Sequence, residues 1–125
     1  MLGLMFVALS IRTLLLRRQL RVAIGDGDQP LLARAIRVHA NFAEYVPLSL
    51  LLLYFLEAQT RINLLIHLLG SALTIGRIAH AIGVRQVKEN FRDRVIGIVI
   101  TFTVIISASL GLIISYAFHL LSPYS

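Results

Sequence analysis

The 125-residue chain contains no cysteine. Disulfides, thiolate metal sites and cysteine nucleophiles are therefore excluded. Acidic residues are scarce: six Asp and Glu stand against twelve Lys and Arg, a formal net charge of +6. That balance raises nucleic acid as a partner. The cations flank long apolar runs, however, so membrane topology accounts for them and no nucleic-acid function is expected. His39, His67, His80 and His119 show no metal-ligand spacing, so no zinc site is expected. The loop GDGDQP at 25–30 offers two glycine-flanked carboxylates, which make a weak cation site. It reads better as a turn in which Asp28 caps a helix and Pro30 sits in the first turn. The first apolar run has no basic stretch before it and no small-residue cleavage site after it, so it is expected to be a retained helix.

What the chain has in abundance is apolar surface. Hydrophobic residues make up 58% of it, and the mean hydropathy is +0.83. A soluble domain of this size needs far less. One bilayer crossing takes about 20 helical residues, and four such segments can be read: 2–16, about Leu31 to Leu56, 62–84, and about Val95 to Leu121. The expected fold is an all-α membrane protein, one four-helix transmembrane domain over residues 1–125. The first connection carries Arg17, Arg18, Arg21, Arg34 and, one turn inside, Arg37; the third carries Arg85, Lys88, Arg92 and Arg94. The second has only Glu57 and Arg61. Basic loops stay cytoplasmic, so both termini are expected outside.

Several polar residues fall inside these segments. Arg34, Arg37, Asn41 and Glu44 step by three and four, which puts them on one face of the second helix. A carboxylate at membrane depth costs several kcal/mol unless paired. That face is expected to look into a bundle interior or a wet pocket, and its chemistry suits an anionic, amine-bearing ligand. Pro47 is expected to kink the helix, either for packing or to shape a pocket. Arg77 and His80 share a face of the third helix, with Arg77 expected level with Arg37 and Val38. Glu44 is expected to pair with Arg77 or with an arginine of a neighbouring subunit; such a pair can also serve only to fix helix register. Arg92 and Arg94, in NFRDRVIG, either anchor the fourth helix to lipid headgroups or set a guanidinium beside a thiol. Ser107, Gly111 and Ser115 form a row of small residues along which that helix is expected to pack.

The run RVAIGDGDQPLLARAIRVHANFAEYVPLSLLLLYFLE, with GRIAH and FRDRVIG downstream, resembles the membrane-associated proteins in eicosanoid and glutathione metabolism, nearest their bacterial inner-membrane branch. The resemblance covers about Arg12 to Gly97. Its specific part is Arg37-x-His39-x-Asn41-x-x-Glu44-Tyr45-x-Pro47. It implies a four-helix bundle assembled as a homotrimer, with glutathione as co-substrate between subunits near the cytoplasmic side. Arg37, Asn41 and Glu44 match residues that hold the tripeptide, Arg21 matches one that meets a carboxylate, and Tyr45 and His80 match pocket-lining or supporting positions. Arg77 joins the expected binding set as partner of Glu44. Arg94 or Arg92 matches the arginine that stabilises the thiolate, and Arg94 is preferred. Glutathione fits this set: arginine forks suit its two carboxylates, Glu44 its ammonium and Asn41 a peptide group. A guanidinium beside the sulfur favours thiolate.

The implied activity is transfer or peroxidase chemistry on a lipophilic substrate arriving from the bilayer. Some eukaryotic members carry tyrosines where this chain has Val84 and Ile98, which leaves a non-catalytic glutathione- or lipid-binding protein as the alternative. A small proton-coupled exporter fits less well, because the membrane glutamate lies in the second helix and the loop charge bias is strong.

Overall fold

The structure, a computed structural model, describes residues 1–60, 62–84 and 91–121. Arg61, Arg85 and Lys88, which carry part of the loop charge asymmetry, lie outside the described residues. Among the described residues there are four helices: α1 (Leu2–Leu20), α2 (Pro30–Thr60), α3 (Asn63–Gly83) and α4 (Phe91–Leu121). All four expected helices form, and each of α1, α2 and α4 is longer than its apolar run. The extensions consist of good helix formers such as Leu, Arg, Gln and Ala.

α3 and α4 are long and apolar enough to cross a membrane. α1 and α2 have the length, at 19 and 31 residues. Arg12, Arg17 and Arg18 interrupt the first, and the polar stripe interrupts the second. At 1.5 Å per residue α2 extends about 46 Å, longer than the roughly 30 Å of hydrocarbon, so it projects past a bilayer.

α2 touches all three other helices, and the most extensive contact is between α3 and α4. The buried row of α2 runs Leu32, Ala35, Val38, Phe42, Val46, Ser49, Leu53, Leu56. Two apolar clusters follow from it. Leu9, Val38, Phe42, Val46 and Val84 pack towards one end, and Leu53, Leu56, Leu73, Val104 and Ala108 towards the other. The pairing of early α2 with late α3 makes these helices antiparallel.

In lipid, helices gain nothing from simply hiding apolar surface from each other; close approach of backbones holds them. That approach occurs at Gly76 of α3 and Gly97 of α4, both buried. A Cβ on Gly97 would lie 2.5 Å from the Gly76 carbonyl oxygen and 2.6 Å from the His80 nitrogen. The row expected to pack, Ser107–Gly111–Ser115, does so only in part: Gly111 meets the Leu56 side chain, and Ser107 is exposed. The buried row of α4 is Gly97, Thr101, Val104 and Ala108 instead.

The loop between α1 and α2 is gathered by Arg17. Its Nη1 donates to the carbonyl oxygens of Gly25 at 2.8 Å and Ala23 at 3.2 Å. Arg21 ends α1 in the left-handed conformation, φ 55. Asp28 does not take the extended conformation of a cap; its φ is 56, and its N–H donates to Asp26 Oδ1. Gly27, at φ 57, has the Val22 side chain where a Cβ would go. Pro30 opens α2, where its missing N–H costs nothing.

Candidate functional site

The four helix ends that meet at the Pro30 end of the bundle enclose an open groove of about 1120 Å³. The end of α1 and its loop supply Arg17, Gly25 and Asp26. The first turns of α2 supply Arg34, Arg37 and Asn41. The last turns of α3 give His80 and Val84, and the start of α4 gives Arg94 and Ile98. Among the described residues, four arginines therefore line one groove, with an amide, an imidazole and a single carboxylate, over an apolar floor. Guanidinium groups donate in a planar fork that matches carboxylates.

The sequence-predicted residues divide. Arg37, Asn41, His80 and Arg94 line the groove. Arg92 is exposed and outside it; two residues on α4 turn the side chain by about 200°, which separates the neighbouring arginines. Arg21 is exposed and also outside. Arg17, Arg34 and Asp26 are lining residues that the binding set omitted. Arg17 gave a signal, since it lies one helical turn before Arg21. Val84 and Ile98 both line the groove.

The expected Glu44–Arg77 pair does not form. Glu44 is exposed on the surface of the single chain. Arg77 is buried, 2% exposed. Its Nη1 donates to Asn41 Oδ1 at 2.8 Å and its Nη2 to the Gly97 carbonyl at 3.3 Å. Its partners are an amide oxygen and a backbone carbonyl, not a carboxylate. The reason is phase: Arg77 stands opposite Asn41, one turn nearer Glu44 than the level of Arg37, but Glu44 is turned to the exposed face of α2. Tyr45, half-buried, also faces away from the groove; its ring tilts against Phe102 at 5.4 Å and lies 6.0 Å from the Arg77 guanidinium carbon.

The polar stripe lies beside the buried row of α2 rather than on it. Arg37 and Glu44 are exposed, and Arg34 and Asn41 are half-buried. His39 turns to α1, where its Nε2 is 2.9 Å from Ser10 Oγ and its ring stacks on Phe6. Ser10 Oγ also lies 2.9 Å from the Phe6 carbonyl oxygen, and a bond from Ser10 to that carbonyl leaves His39 Nε2 as donor to Ser10. Pro47 lines a separate apolar groove of about 320 Å³ between α1 and α2, with Phe6 and Phe42.

The sequence profile of the MAPEG family matches residues 1–114. The chain belongs to the MAPEG family. It is thus a membrane protein. The inner membrane protein YecN of Escherichia coli K12 is 37% identical over 81 residues, 65% of this chain and 62% of that protein. YecN of Escherichia coli O6:H1 aligns with the same identity and coverage. The chain spans 62% of the length of these curated relatives. No solved structure matches the chain significantly.

Proposed function

We propose that this MAPEG protein is a glutathione-dependent transferase or peroxidase of the bacterial inner membrane, acting on lipophilic electrophiles or hydroperoxides. The observation that carries this reading is the convergence of Arg17, Arg34, Arg37, Asn41 and Arg94 on one groove at one end of the bundle. Glutathione brings two carboxylates, two peptide groups, one ammonium and one thiol. The arginines suit the carboxylates and Asn41 a peptide or carboxylate oxygen. Asp26 is the carboxylate this chain offers to the ammonium. Arg94, beside the apolar Val84 and Ile98, would favour a thiolate facing the side from which an apolar substrate comes.

The reading includes a homotrimer. Exposed charge in the middle of a membrane helix is costly, and Arg37 and Glu44 are exposed on the single chain. A neighbouring copy laid against that face would cover both, and would bring Glu44 to a groove shared between subunits. It also includes four crossings with both termini outside. Nine basic residues lie in or beside the first and third connections against one in the second, which supports a groove facing the cytoplasm, where glutathione is found.

A second reading, glutathione binding without turnover, is favoured by one observation. Val84 and Ile98 leave the groove without a tyrosine, and Tyr45 turns to Phe102. Turnover decides between the two. Purified protein in liposomes should conjugate glutathione to an apolar model electrophile or reduce a lipid hydroperoxide. Saturable glutathione binding with neither activity would select the second reading.

A further inference from the structure

We infer that Arg77 is a positioning residue: it fixes the orientation of the Asn41 amide so that the NH₂ of this position is free to take an acceptor oxygen of the ligand. This rests on the reading that glutathione occupies the groove, and it deepens that reading by assigning which part of the ligand meets α2.

A guanidinium has five donors and no acceptor, so the Asn41 atom it bonds must be the oxygen. The 2.8 Å contact from Nη1 therefore settles which way the amide is turned. Asn41 lines the groove, and Arg77 does not. With one lone pair of Oδ1 held by Arg77, the orientation of the amide is set, and its NH₂ keeps both hydrogens for a ligand. A carboxylate or peptide carbonyl is the group those hydrogens suit. Arg37, one turn before Asn41 on the same lining, is donor-only, so with the Asn41 NH₂ this stretch of α2 suits an oxygen-bearing end of the ligand.

Arg77 is itself held in place. Its Nη2 donates to the Gly97 carbonyl, which also accepts from Thr101 Oγ1 at 2.8 Å. Tyr45 lies beside the guanidinium. Its Nε has no hydrogen-bond partner among the described residues. A buried polar atom left unpaired is costly, and the Gly76–Gly97 crossing, which leaves no room for a side chain, brings the Gly97 carbonyl within reach. The helix crossing thus sets the guanidinium, and the guanidinium sets the amide.

The test is a double-mutant cycle on glutathione affinity, with full-length protein in mild detergent. Arg77→Met should weaken binding by about tenfold, the scale of one misdirected hydrogen bond. In the Asn41→Ala background the same change should cost less than about twofold, because Arg77 acts through Asn41. Arg77→Gln, which keeps one donor for the same oxygen, should recover part of the affinity. Equal losses in both backgrounds would make Arg77 a ligand contact or a general structural residue and overturn the proposal. The asparagine side-chain carbonyl carbons are followed by NMR in parallel. The chain has three asparagines, Asn41, Asn63 and Asn90, and Asn41→Ala identifies the signal. That signal should move in Arg77→Met and return towards its position in Arg77→Gln. An unmoved signal overturns the proposal even if glutathione fails to bind, whereas no glutathione binding with a moved signal rejects glutathione as the ligand and leaves the positioning role standing. If Arg77→Met does not fold, the cycle and the NMR comparison are run with Arg77→Gln against Arg77→Lys, and an Asn41 signal and affinity unchanged in both overturn the proposal.

Discussion

Gly97 rests on Gly76 so closely that the backbone of α3 occupies the space a side chain would need. The same contact carries the Gly97 carbonyl to Arg77 and the His80 backbone to α4. The space beside Gly97 is filled by the neighbouring helix.

Gly97→Ala should therefore destabilise the protein. Alanine normally improves a helix by up to about 1 kcal/mol over glycine. Here a Cβ would meet backbone at 2.5 and 2.6 Å, so the helices must move apart. Overpacking of this kind costs about 1–3 kcal/mol. Gly70→Ala is the control, since nothing lies within 4 Å of a Cβ there. Thermal unfolding in one detergent should show Gly97→Ala below wild type and Gly70→Ala at or above it; the reverse order would remove the crossing from the account.

Arg94 and Arg92 should behave differently despite being two residues apart. Arg94 lines the groove and Arg92 does not. Arg94→Ala should retain most glutathione affinity, lose the thiolate absorbance near neutral pH, and turn over a model electrophile about 10²-fold more slowly, the scale of losing one oriented electrostatic group. Arg92→Ala should be close to wild type. Loss of activity in Arg92→Ala alone would mean that α4 meets the thiol on another face.

Glu44→Gln separates chain from assembly. Glu44 is exposed on the single chain, so folding of the chain should be unaffected. If a second copy covers it and pairs it, removing the charge should cost about 3–5 kcal/mol in assembly or binding, as for other desolvated pairs. Native mass spectrometry should then show less trimer, or calorimetry weaker glutathione binding. An intact trimer with unchanged affinity would leave Glu44 without a role in either.

Orientation is tested by a reporter fused after Ser125. The reporter should be active only on the outer side of the membrane. Activity only in the cytoplasm would refute the charge-based topology.

The four helices were legible because long apolar runs alternate with charged connections, and nothing competes with that pattern. The groove was legible in outline: Arg37, Asn41, His80 and Arg94 were named from spacing and resemblance, and they meet. Two things were not. The phase of α2 was hidden because apolar residues occur all round it, so the polar row 34–37–41–44 and the buried row 35–38–42–46 have nearly the same period and differ by one residue. The register of α2 against α3 was hidden because loop length does not set it. The reach of Arg77 to Asn41 marks it in the structure. The absent Glu44–Arg77 pair follows from the phase, which turns Glu44 to the exposed face of α2 although Arg77 lies a turn nearer to it than expected.

The most direct measurement is isothermal titration of the detergent-purified protein with glutathione, beside the Arg37→Ala and Asn41→Ala variants. Saturable binding by wild type that is weakened at least about tenfold in each variant is the predicted result, since each removes a donor from the groove. Absence of binding by a folded wild type, or binding that both variants leave unchanged, would contradict the assignment of this groove to glutathione.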